Sequence, residues 1–126
     1  MTQTAAPDWH RKAQAVIYDA RAYIGAQRVE ALSGETFDVI SPIDGKVVAQ
    51  AARCRVEDVD AAVKSARLAF DSGVWSRQSP AHRRRVMLKW SEKILLARDE
   101  LALLETIDMG KPIRFSHAVD VHSTSR

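Results

Sequence analysis

The chain has 126 residues, 46% apolar, 28% charged and 6% aromatic, with 19 Lys and Arg against 16 Asp and Glu for a net charge of +3. That is an ordinary globular composition, long enough for a core and one domain by length; five Gly, four Pro and no low-complexity tract exclude collagen-like, mucin-like and long disordered classes. No apolar run approaches the ~18–20 residues that span a bilayer, Met1–Asp8 lacks a basic segment followed by an apolar stretch, and the single cysteine fits a reducing compartment, so the expectation is a cytoplasmic chain with no membrane partner.

Residues 1–8 read as a flexible tail, and 9–126 as the folded part. A helix is expected from Asp8, as cap, to about Tyr18, with Trp9, Ala13, Val16 and Ile17 on one face. Ala22-Tyr23-Ile24 reads as a short strand, Gly25 as a turn, and Arg28–Ala31 as the partner strand. Ser33-Gly34 punctuates again. Thr36–Ile40, rich in β-branched and aromatic residues, and Val47–Ala51 form a second hairpin around Pro42-Ile43-Asp44-Gly45.

After Cys54 the period changes to three and four. Val59, Ala62, Val63, Ala66 and Phe70 recur along a helix near 56–72, with Glu57, Asp58 and Asp60 where its dipole favours acids and Gly73 as its stop. Ser79-Pro80 opens a helix near 79–97 whose apolar face is Val86, Met87, Trp90, Ile94 and Leu95. That face shifts at Arg98-Asp99, which predicts a break, and Leu101, Leu104 and Ile107 line a further helix near 99–109. Gly110 and Pro112 end it, and Ile113–Arg126 reads as the start of another helix. The pattern predicts a buried set of Val63, Phe70, Trp90, Ile94, Leu101 and Leu104, with Arg84 and Arg85 exposed. There is no βαβ alternation to close a parallel sheet. Such amphipathic helices need a partner surface, so the chain reads as part of something larger.

Little of this carries chemistry. Cys54, the only thiol, has Arg53 and Arg55 beside it, but neighbours on a strand point to the opposite face, and it reads as an ordinary strand-end cysteine. His10, His82, His117 and His122 lack the i, i+4 spacing of a helical zinc site, and His117 and Asp120 are spaced to meet on one helix face as a surface contact. Gly110-Lys111 is no phosphate loop, because Pro112 replaces the Ser/Thr and Glu105 stands where the first Gly belongs. Arg83-Arg84-Arg85 spreads over about 200–300° of helical arc and cannot form one stripe, so a solvated surface is expected there rather than a nucleic-acid site.

One constellation is more specific. Thr36-Phe-Asp-Val-Ile-Ser-Pro-Ile-Asp-Gly45 is followed by Asp58-Val-Asp-Ala-Ala-Val63 and by Ala66-Arg-Leu-Ala-Phe70. Trp75, Pro80 and Arg83 come next, and then Leu104-Glu-Thr-Ile-Asp-Met-Gly-Lys-Pro112. From about residue 8 onward this resembles the N-terminal part of the NAD(P)-dependent aldehyde dehydrogenase superfamily. The Trp9–Ala13 helix is similar to the bacterial subgroup that oxidises ω-amino aldehydes such as γ-glutamyl-aminobutyraldehyde. Gly25 stands where that family commonly has Asn, and Ala26 where Gly is usual, which leaves the first turn's type open.

The resemblance implies an α/β fold. This chain would be its mainly helical N-terminal part, with two antiparallel hairpins and without the complete dinucleotide-binding sheet: an incomplete cofactor domain over 9–126. It implies a complete enzyme that attacks an aldehyde with a cysteine thiolate, passes hydride to NAD or NADP, and releases a carboxylic acid through a glutamate-activated water. The nucleophilic cysteine, the base glutamate and the cofactor turn match nothing here, so no catalytic and no cofactor-binding residue is assigned. The chain alone is expected to be inactive, to bind NAD(P) only weakly, and to self-associate or dock on a full-length relative. Some family members hold a structural Na⁺ or K⁺, for which the matching positions are Val39, Ile40 and Asp108. The alternative is a free-standing non-catalytic α+β module that docks on a partner through its apolar helix faces.

Overall fold

The computed structural model describes residues 8–126, so most of the expected tail lies outside the described residues and Asp8 belongs to the fold. Asp8 caps the first helix, α1 (Trp9–Gln14), accepting from the Arg11 amide at 3.1 Å. This helix is shorter than expected. Val16, Ile17 and Tyr18 are β-branched or aromatic, poor helix formers, and the helix has already ended there.

Two separate antiparallel hairpins follow. β1 (Ala22–Ile24) pairs with β2 (Gln27–Val29), the partner strand lying one to two residues before its expected place. Gly25 and Ala26 join them with φ of +60° and +64°, the two-residue turn with both centres left-handed, whose twist suits a hairpin. A Cβ on Gly25 would lie 3.3 Å from the Ser65 hydroxyl, so this turn sits close against the next helix.

β3 (Thr36–Ile40) pairs with β4 (Val47–Ala52). Val39 opposes Ala49 while Ile40 opposes Val47, which leaves Val48 as an extra residue in a bulge. Both Val48 and Ala49 are consequently half-buried rather than alternating.

Of the four helices expected after Cys54, the first three form as long helices: α2 (Val56–Ser72), α3 (Pro80–Leu96) and α4 (Arg98–Met109). Ser79 accepts from the His82 amide at 3.2 Å with Pro80 opening α3, and Gly73 and Gly110 end α2 and α4 in the left-handed conformation. Ala97 is both the last cap of α3 and the first of α4, which is the expected break. The final stretch comprises α5 (Ile113–Phe115), a π-helical turn (Ser116–Asp120) and α6 (Val121–Thr124), folded back onto α4 and α3.

The core is smaller than the pattern predicts. Among the described residues its buried apolar side chains are Ala31, Ala102, Leu103 and Val121. Val63 is 62% exposed, Phe70 59%, Trp90 58% and Leu101 39%, while Ile94 and Leu104 are half-buried. The expected buried set is therefore wrong for this chain. The stripes are in the helices as read, but the described residues do not cover them. Arg84 and Arg85 are exposed, as expected.

Candidate functional site

Distant segments of the chain meet in a cleft between the β3–β4 hairpin and α4. The Asp58 carboxylate first fixes how the hairpin region joins the helices: it accepts from the Leu32 amide at 2.9 Å and the Arg55 amide at 2.8 Å. Those two amides hold its pKa below the usual carboxylate range. At the other end, a Cβ on Gly110 would be 3.3 Å from Pro42, so the end of α4 lies against the β3–β4 turn. The Ala52 amide donates to the Ala20 carbonyl at 3.1 Å and draws the segment after α1 along β4.

These anchors frame a cleft of about 350 Å³ lined by Tyr18, Ala20, Val39, Val48, Ala49, Leu104, Glu105, Ile107 and Asp108. The bulge turns both Val48 and Ala49 toward it. Its walls are aliphatic, and its polar groups are the Tyr18 hydroxyl and two carboxylates one turn apart on α4. Burial raises the Tyr18 pKa above its ordinary value. Glu105 lies 3.8 Å from the Lys111 ammonium, which also bonds Asp120; that second carboxylate holds the Lys111 pKa above its ordinary range.

Val39 and Asp108, from the expected cation position, thus line one cleft. Ile40 is the next residue on β3, with its side chain exposed. Among the described residues no three His, Cys, Asp or Glu side chains converge as a metal cluster. Cys54 is exposed and lies two residues beyond the end of β4, in the loop before α2, not on the strand end itself.

The expected meeting of His117 with Asp120 does not occur. Asp120 is taken by Lys111, and His117 Nε2 instead lies 2.8 Å from Asp99 of α4. Asp99 also receives the Lys12 ammonium at 2.6 Å, and the Trp9 ring stands edge-on to His117 at 5.5 Å. Both partners hold the Asp99 pKa down, Lys12 more than His117. This cluster is what fastens α1 to the helical layer. It joins residues about ninety apart with no spacing signal, so the sequence offered no route to it.

A profile of the aldehyde dehydrogenase family matches residues 29–126. The chain belongs to that family. The indole-3-acetaldehyde dehydrogenase of P. syringae, solved with NAD⁺ and IAA, is 48% identical, with a TM-score of 0.91 over 94% of this chain and 24% of that one. The γ-glutamyl-γ-aminobutyraldehyde dehydrogenase of Burkholderia cenocepacia is 46% identical, with a TM-score of 0.91 over the same shares. The NADP/NAD-dependent aldehyde dehydrogenase PuuC of Escherichia coli is 37% identical over 118 residues, 94% of this chain and 24% of its own length.

The fold matches the N-terminal part of these enzymes, and the chain spans about a fifth to a quarter of the curated relatives' length. The family's α/β fold is therefore represented here by its helical N-terminal part and two hairpins. None of its glycines opens a helix: Gly25, Gly34 and Gly45 lie in turns, and Gly73 and Gly110 close helices. Among the described residues no helix is long and apolar enough to cross a membrane.

Proposed function

We propose that this chain is the N-terminal segment of an NAD(P)-dependent enzyme that oxidises an aldehyde to a carboxylic acid, and that the segment alone is catalytically silent. One observation carries the reading: a match at TM-score 0.91 that covers 94% of this chain covers only 24% of an NAD⁺-bound relative. The sole thiol supports inactivity of the segment, being exposed in a loop. An ω-amino aldehyde is the proposed substrate class. A relative named for γ-glutamyl-γ-aminobutyraldehyde aligns over 94% of the chain and supports this class. A cytoplasmic location and an oligomeric state belong to the same proposal.

The test compares two proteins. Residues 1–126 should give no NADH or NADPH with 4-aminobutanal or other aldehydes, while the longer protein encoded with them should. A Cys54→Ser change should leave the longer protein's turnover unchanged. Turnover by 1–126 that vanishes in Cys54→Ser would overturn the assignment. A protein that ends at Arg126 and binds tightly to a full-length relative would instead favour the docking-module reading, which the exposed apolar faces support.

A monovalent cation site at Val39, Ile40 and Asp108 is part of the proposal. The convergence of Val39 and Asp108 on one cleft supports it, and carbonyl and carboxylate oxygens suit a hard ion. Replacing Na⁺ or K⁺ by tetramethylammonium at constant ionic strength should lower the thermal midpoint of the longer protein, and Asp108→Ala should abolish that difference. Equal midpoints in all three salts would reject the site.

A further inference from the structure

Between α5 and α6 the chain does not wind as a plain α-helix. Ser116–Asp120 form a π-helical turn, closed by the Val121 amide donating to the Ser116 carbonyl five residues back. At 100° per residue an α-helix would set His117 and Asp120 about 60° apart, close enough to pair. A π-turn winds by roughly 80° per residue and sets them about 120° apart. The partners that each side chain finds follow from that separation.

His117 reaches the start of α4. Its Nε2 lies 2.8 Å from Asp99 and 3.0 Å from Arg98 Nε, its Nδ1 lies 2.8 Å from a terminal nitrogen of Arg98, and Trp9 of α1 stands edge-on to the ring. Asp99 in turn holds Lys12 of α1 at 2.6 Å. Asp120 reaches beyond the other end of α4, to Lys111, which also lies 3.8 Å from Glu105. Ser116 is fully buried and accepts from the Thr106 hydroxyl at 3.1 Å, which pins the turn to α4. All of these contacts are made within the chain, and none depends on which of its faces are covered.

We propose that the π-turn is a latch through which the Lys111–Asp120 pair keeps α1 seated on α4. Asp99 and Asp120 are rival carboxylates for one imidazole. Lys111 occupies Asp120, which leaves His117 to Asp99 and Trp9. Without the Lys111 ammonium, Asp120 loses that partner, and rewinding of 116–120 to the tighter α-helix brings it beside His117. His117 then turns away from Asp99. A helix of six residues, such as α1, keeps its hydrogen bonds only while it is docked, so it frays when that hold is lost.

Hydrogen–deuterium exchange is read by mass spectrometry on residues 8–17 of the longer protein, a measurement that needs no turnover and is independent of the enzymatic assignment. Lys111→Met should speed exchange there about fivefold or more, with unchanged exchange in α2 as the check on folding. Adding Asp120→Ala should return it to within about twofold of the parent, because the rival carboxylate is gone. His122→Ala, which removes a ring bonded to Arg126, should leave it unchanged. The latch is overturned if Lys111→Met leaves exchange of 8–17 unaltered, if Asp120→Ala fails to restore it, or if His122→Ala speeds it equally.

Discussion

The carboxylate of Asp58 accepts from the amides of Leu32 and Arg55, so one side chain closes the loop after β2 and satisfies a free donor at the start of α2. The sign of its pH effect follows. Its folded pKa lies below the ordinary carboxylate value, so its stabilisation is present above that ordinary value and is lost as pH falls through the folded one. Asp19, lowered to about 2 chiefly by Arg21, follows the same rule. Asp58→Asn should lower the urea midpoint at pH 7 and narrow the gap between midpoints at pH 7 and pH 3. An unchanged gap would show that Asp58 does not carry this dependence. At the first turn, Ala26 holds φ of +64°, a left-handed conformation that strains any residue with a Cβ. Ala26→Gly should raise stability by about 1 kcal/mol, read as a higher thermal midpoint; a lower midpoint would mean that the loss of unfolded-state restriction outweighs the relieved strain.

At the scale of elements, Trp90 separates what a helix encodes from what covers it. A fully enclosed tryptophan loses roughly 3–5 kcal/mol on truncation to Ala. Trp90 is 58% exposed, so Trp90→Ala in this chain should cost less than about 2 kcal/mol in chemical denaturation. In the longer protein the same change should approach the enclosed value. This difference explains why the helices were legible and the core was not. Ser79-Pro80, Gly73 and Gly110 mark helix ends through local backbone chemistry, and they worked where the sequence placed them. The face shift at Arg98 likewise became the break at Ala97. Burial is a relation between segments, and the described residues leave Val63, Phe70 and Trp90 more than half exposed. The site divides along the same line. Val39 and Asp108 came from family resemblance, whereas the Asp99–Lys12–His117 cluster depends on a long-range approach that no local pattern signals.

For the whole molecule, the decisive quantity is area. The chain exposes 9961 Å² at 14.0 kDa, whereas a compact monomer of that mass exposes about 6,700 Å². The excess, on the order of 3,000 Å², exceeds the roughly 800 Å² that each partner buries in a standard protein interface. Much of it is apolar: Val59, Val63 and Phe70 on α2, and Val86, Met87 and Trp90 on α3, are all exposed. Contiguous apolar surface of that extent rarely stays open to water. Residues 1–126 should therefore elute from size exclusion larger than a 14.0 kDa monomer and bind a hydrophobic dye. Adding the remainder of the longer protein as a separate chain should convert that species to a stoichiometric complex and suppress dye binding, because the same faces cannot be covered twice. A monomer that ignores the dye would mean that α2 and α3 close on one another in solution, and it would remove the area argument for a larger assembly.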